Sequence, residues 1–227
     1  MKRRRRLITS TRMSPEPAAV QSAPTPPTLP VTPLLAAFAL SLLLGLQPVS
    51  TDVYLPALPM LTAALGAPMH SAQLTMSALI LAFGLAQMVW GPVSDRIGRR
   101  PVLLAGLALH AVASAGCALA GSIEALVLWR VLQGTALAAA VVCARAIVRD
   151  LYEPAEGAQV MALALSGLGV IALIGPLAGG LSAAAFGWRG PLTLVTLISA
   201  LTLIFIAWRL PETLAQGEPQ EIGRAHV

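Results

Sequence analysis

Residues 71–123 read SAQLTMSALILAFGLAQMVWGPVSDRIGRRPVLLAGLALHAVASAGCALAGSI. No Asp, Glu, Lys or Arg lies between Ser71 and Ser94. Asp95, Arg96, Arg99 and Arg100 then arrive together, and no charge follows between Pro101 and Ile123. Each apolar run is long enough for the roughly 20 residues that cross a bilayer core. A soluble helix of that length keeps a polar face for water. The other spanning structure, a closed barrel, needs alternating strands, and these runs do not alternate. Two membrane helices joined by a short cationic turn are expected.

The same pattern extends outward in both directions. Charge is also absent between Val31 and Thr51, between Ala158 and Trp188, and between Gly190 and Trp208. The 227-residue chain is 56% hydrophobic and 11% charged, where a soluble domain carries about a quarter charged residues. Its mean hydropathy is +0.77. An all-α integral membrane fold follows, with six transmembrane helices at roughly 33–61, 71–93, 101–120, 123–145, 158–183 and 190–209. The first span holds Pro48, Pro56 and Pro59, so a kink or an unwound outer end is expected there.

Residues 1–32 form a basic tail, with six prolines from Pro15 to Pro30. Such a segment cannot bury a core and is expected to be disordered. A start at Met13 would delete all six of its basic residues. Residues 211–220 read as the beginning of a cytoplasmic loop. Residues 221–227, Glu-Ile-Gly-Arg-Ala-His-Val, back-translate as GAG ATC GGA AGA GCA CAC GTC, which resembles a sequencing-library adapter. They are excluded from the fold, and the gene is expected to be truncated.

The net charge of +5 and pI near 10.2 encode orientation and not nucleic-acid binding. Lys2, Arg3 to Arg6, Arg12, Arg96, Arg99, Arg100, Arg145, Arg149 and Arg209 fall on one side of the spans, and Arg189 stands alone on the other. Both chain ends are therefore expected in the cytoplasm. The imbalance survives loss of the tail. Cys117 and Cys143 sit inside apolar runs and read as packing residues.

Few polar residues lie within the spans. Arg130 interrupts the run Ala125 to Ala144, with Gln133 and Gly134 on the same helix face. It lies roughly 10 Å below the outer end of its span. At that depth a charge costs several kcal/mol unless it meets a wet cavity or a partner; the alternative is snorkelling to the interface. Asp52, in the outer part of the first span, lies at about the same depth and is the natural partner. Substrate or proton binding would break and remake such a pair; a static ion pair is the plainer alternative. Tyr54 either lines a substrate route or sits in the interfacial aromatic belt. Lone His110 reads as a packing or hydrogen-bonding residue, and Gln87 as a cavity or helix-joining residue. A membrane enzyme would need a Ser–His pair, a metal cluster or paired acids within the spans, and Asp52, Arg130 and one His are not expected to build such a site.

Three patterns carry a family resemblance. Gly91-Pro-Val-Ser-Asp95-Arg96-Ile-Gly98-Arg99-Arg100 resembles the G-x-x-x-D-R-x-G-R-R loop of the major facilitator superfamily, a conformational-switch loop in that family. Arg130-x-x-Gln133-Gly134 is similar to its fourth-helix pattern. Gly175-Pro176-Leu-Ala-Gly179-Gly180 resembles its antiporter signature, with Ile171 in the place of the first glycine. Thr51-Asp-Val-Tyr-Leu-Pro-Ala-Leu-Pro59, Arg145-Ala-Ile-Val-Arg149-Asp150-Leu-Tyr152 and Leu210-Pro-Glu-Thr-Leu214 look like the bicyclomycin and chloramphenicol resistance (Bcr/CflA) branch. The resemblance implies the N-terminal six-helix bundle of a major facilitator fold, made of two inverted three-helix repeats. It further implies a multidrug exporter of the bacterial inner membrane that exchanges small amphipathic or apolar drugs for protons. No cofactor is expected beyond the proton gradient. The expected partners are drugs, protons, the lipid bilayer and a missing C-terminal six-helix half, with no nucleic acid.

Overall fold

A computed structural model describes residues 32–210. Residues 1–31 of the tail and the segment from Pro211 onward, including the suspected adapter residues, lie outside the described residues. Seven α-helices follow one another: α1 (Pro33–Asp52), α2 (Leu58–Leu65), α3 (Met69–Ile97), α4 (Arg99–Leu119), α5 (Ile123–Leu151), α6 (Pro154–Phe186) and α7 (Arg189–Arg209). A 3-10 turn, Leu55–Ala57, joins α1 to α2. Among the described residues, six segments are long and apolar enough to span a membrane, with α1 and α2 together forming the first. The chain is a multi-pass membrane protein.

Local chemistry explains the breaks. Pro56 lacks an N–H, and its ring meets the carbonyl four residues earlier, which belongs to Asp52. That is the last residue of α1. Thr32 caps the start of α1 by accepting from the Leu35 N–H at 3.4 Å, and Ser122 caps α5 by accepting from Ala125 at 3.2 Å. The helices α3 and α4 meet at Gly98, whose φ of 110° suits only a residue without a Cβ.

Several helices run past their apolar cores. The segment expected as a connection at residues 91–100 is mostly helix: α3 continues through Gly91, Pro92 and Asp95 to Ile97, and only Gly98 makes the turn. Likewise Arg145 and Arg149 lie within α5 and not in a loop. Helical hydrogen bonding continues into the interface because polar side chains there reach water while the backbone stays paired.

The main packing partners are α1 with α6, α3 with α5, α4 with α5, and α4 with α7. Exchanging the first three spans for the last three converts the α1–α6 pair into the α3–α5 pair. It maps the α4–α7 pair onto itself. These pairings fit two inverted three-helix repeats, while the α4–α5 contact has no counterpart of similar extent between α1 and α7. The core lies along α1, α4 and α5, while α3 and α6 present exposed apolar faces through residues such as Leu85, Met88, Leu173 and Leu177.

Small residues set the close helix crossings, as in membrane bundles generally. A Cβ on Gly134 of α5 would strike the backbone carbonyl of Leu79 in α3, and one on Gly179 of α6 would strike the carbonyl of Val53. The glycine missing from the antiporter-like pattern has a counterpart across the interface. Ile171 of α6 projects toward Gly45 of α1, where an added Cβ would lie 2.6 Å from its Cδ1.

Candidate functional site

Arg130 sits about two turns into α5 and is fully buried. Its Nη1 donates to the Ser50 carbonyl at 2.8 Å and to Gln133 Oε1 at 3.2 Å. Its Cζ lies 3.9 Å from the centroid of the Tyr54 ring. Ser50 belongs to the last turn of α1, whose carbonyls lack onward helical partners. The guanidinium therefore caps a helix C-terminus, where the peptide dipoles favour a cation. Its Nε and Nη2 have no hydrogen-bond partner.

A buried polar network spreads from this point. Gln133 Nε2 donates to Ser114 Oγ at 2.7 Å, and Ser114 donates to the His110 carbonyl at 2.7 Å. The Cys117 thiol lies 3.8 Å from Gln133 Oε1. His110 bridges two helices, with Nε2 3.1 Å from Ser50 Oγ and Nδ1 2.9 Å from Ser199 Oγ. Tyr54 Oη lies 3.0 Å from Thr75 Oγ1. The network thus ties α1, α3, α4, α5 and α7 together around one cation.

Asp52 does not join it. Among the described residues no ion pair links Asp52 to Arg130, which corrects the expected pairing. Asp52 follows Ser50 by two residues, so it points about 200° away around the helix. Ser50 faces α5, whereas Asp52 faces α6: a Cβ on Gly175 would lie 3.8 Å from that of Asp52. The carboxylate is half-buried and accepts from Thr51 Oγ1 at 2.7 Å. Matching depths placed the two charges on one level, but not on one face.

The opposite end of the bundle holds a second cluster. Arg99 is buried and pairs with Asp95 one turn earlier. Its Nε reaches Asp150 Oδ2 at 3.0 Å, and its Nη1 donates to Ser94 Oγ at 2.7 Å. This one side chain fastens the α3–α4 corner to the end of α5. Arg100 donates to the carbonyls of Leu210 at 2.8 Å and Ala207 at 3.0 Å, capping α7. Arg96 is exposed in the last turn of α3. Gly91 lies within α3 with open space before it. In α6, Gly175 and Gly179 face α1, while Pro176 is exposed and Gly180 has open space before it.

The His110 bridge was not visible in the sequence. Ser50 and Ser199 are 149 positions apart in the chain, and each serine resembles ordinary small-residue packing in its own helix. No group of His, Cys, Asp and Glu that could hold a metal ion occurs among the described residues.

The comparisons agree with this architecture. Residues 35–225 match the Major Facilitator Superfamily. The chain is 39% identical over 185 residues to a chloramphenicol resistance protein of Pseudomonas aeruginosa, covering 81% of this chain and 43% of that protein. It is 32% identical to multidrug resistance protein D of Escherichia coli strain K12, covering 80% of this chain and 46% of the relative. The chain thus spans about half the length of the curated relatives it matches. The crystal structure of the proton:xylose symporter XylE shares the fold, with a TM-score of 0.70 and 15% identity over 80% of this chain and 45% of that one. These proteins are transporters and not enzymes. Six apolar spans in inverted repeats, a buried arginine in the fourth span and a match across residues 35–225 place the chain in the major facilitator superfamily.

Proposed function

We propose that this chain is the N-terminal half of a multidrug exporter that trades small amphipathic drugs for protons across the bacterial inner membrane. The observation that carries the reading is Arg130: a fully buried cation without a counter-ion among the described residues, seated on the broken end of the first span. Such a charge is costly in a membrane unless the protein uses it. Its relatives among chloramphenicol and multidrug resistance proteins support drugs as the substrate class.

Asp52 is the half-buried carboxylate within the first span and carries the exchanged proton in this reading. It faces the glycine-lined α1–α6 contact, where Gly175 and Gly179 let the helices slide closely. Arg99 and its two carboxylates lock the inner end of the bundle in one state and release it in the other. The energy comes from the proton gradient, with no bound cofactor. The relatives' greater length supports a second six-helix half that completes the transport path, with both ends of this half in the cytoplasm.

Proton-gradient-driven dye efflux from vesicles tests this reading, comparing this chain alone with this chain plus a C-terminal half. Efflux only with both halves is the expected result. Efflux by neither rejects the drug-exporter reading and leaves a nonfunctional fragment, a structural membrane protein, or an importer or exporter of a metabolite such as a sugar or amino acid. Gradient-independent movement rejects the proton coupling.

A further inference from the structure

A cleft of about 430 Å³ opens between α1, α3, α5 and α6, apart from the Arg130 network. Its walls include Phe83, Met161, Leu165 and Leu168, with two polar side chains, Gln47 of α1 and Arg145 of α5. The volume lies in the range that encloses a drug-sized ligand. Arg145 is exposed to this space and makes no hydrogen bond or ion pair with any described residue. On the same side of the bundle Arg99 pairs with Asp95 and Asp150, Arg100 donates to the α7 carbonyls, and Arg96 is exposed away from the cleft. No carboxylate lines the cleft.

We infer that this cleft is a binding site for amphipathic molecules that carry a carboxylate or another anionic group, with Arg145 as the anion anchor and Gln47 as a secondary hydrogen-bond donor. Arg145 lies about 9 Å from the inner end of α5 by helical rise. Its head group reaches water at the mouth of the cleft, and the apolar walls around it focus its field on an anion. A guanidinium also grips a carboxylate through two parallel N–H donors. Phe83 and Met161 supply the polarizable apolar surface that adapts to varied ring systems. The inference rests on the transporter reading above and adds the sign of the ligand's charge. An anchor for a cationic drug would place a carboxylate here instead.

Three probes of one shape test it: 1-naphthoate, uncharged 1-naphthamide and cationic 1-naphthylmethylammonium. Equilibrium binding is measured on the 227-residue chain in lipid nanodiscs. Naphthoate is expected to bind about tenfold more tightly than naphthamide, the ratio expected of one charge-assisted hydrogen-bonded pair. Arg145→Gln is expected to bring that ratio near one, and Arg145→Lys to retain part of it. Phe83→Ala is expected to weaken all three probes alike. Size-exclusion profiles and helical circular dichroism identify any variant that fails to fold, in which case Arg145→Lys and added chloride competition carry the test. Equal binding of the three probes, preference for the ammonium, a preference that survives Arg145→Gln, or no binding at all overturns the inference. The exporter reading is judged separately by gradient-driven efflux, so a transporter that exports cations with unaltered efflux in Arg145→Gln rejects this site alone.

Discussion

The guanidinium of Arg130 stacks over the ring of Tyr54 at 3.9 Å, although 76 positions separate the two residues. The same guanidinium donates to the Ser50 carbonyl, so one side chain grips both the end of α1 and the turn that follows it. A buried charge here is held by a helix dipole, an amide oxygen and a ring face.

Replacing Arg130 with Lys keeps the charge and removes the planar fork. A lysine ammonium cannot cover the Tyr54 ring and reach the Ser50 carbonyl in the same geometry. The expected cost is about 2 kcal/mol, since a hydrogen bond from a charged donor contributes about 1.5–3 kcal/mol. Tyr54→Phe keeps the stack and loses the hydroxyl's contact with Thr75, costing about 1 kcal/mol. Thermal unfolding in one detergent, followed by tryptophan fluorescence, should rank wild type, Tyr54→Phe and Arg130→Lys in that order of falling stability. The reverse order of the two variants would remove Arg130 from its place as the clamp on α1.

Asp52→Asn should separate coupling from stability. The carboxylate has no ion pair among the described residues, and its contact with Thr51 survives as an amide hydrogen bond. Unfolding is expected to shift by less than about 0.5 kcal/mol, the range of substitutions that break no buried pair. Proton-driven export by the complete transporter is expected to vanish while expression holds. Unchanged pH-dependent efflux would remove Asp52 from the proton path.

The α1–α6 interface offers a rescue experiment. Gly45→Ala drives a methyl into Ile171, at 2.6 Å from its Cδ1. Overpacking of this kind costs about 1–3 kcal/mol. Ile171→Ala removes the obstacle, so the double variant should recover much of the loss; the two changes are coupled and not additive. Simple additivity in the unfolding midpoints would show that the two side chains do not share one space.

His110 binds two serines whose hydroxyls are already committed. Ser50 donates to the Leu46 carbonyl at 2.7 Å, and Ser199 donates to the Val195 carbonyl at 2.7 Å. Each hydroxyl carries a single proton. A neutral imidazole has one N–H, so one serine turns its proton to the ring while the other keeps its carbonyl. The bridge therefore joins α1 to α7 in either of two hydrogen-bond directions. A double-mutant cycle with Ser50→Ala and His110→Phe should show a coupling of about 1 kcal/mol. A coupling near zero would mean that the ring only fills space.

Much of the architecture was legible in linear form. A bilayer tolerates few unpaired charges, so charge-free runs of sufficient length mark the spans without reference to a partner. Arg130 stood out for the same reason, and its i+3 neighbour Gln133 was legible from helical geometry alone. Its other partners were not. Helical rise gives the depth of Asp52, but which face it occupies depends on where α6 packs and where Pro56 ends α1. The expected loop at 91–100 also proved mostly helical, because composition marks where the apolar core stops and not where backbone hydrogen bonding stops.

The sequence by itself determined six spans, their family and the residue types available for chemistry, because solvation by lipid acts on each segment independently. Tertiary structure alone decided that Arg130 caps α1 and leaves Asp52 to α6, that His110 ties Ser50 to Ser199, and that Gly45 receives Ile171. Those facts depend on the rotation of each helix about its axis. That rotation is set by the packing of all its neighbours at once, and no single stretch of chain encodes it.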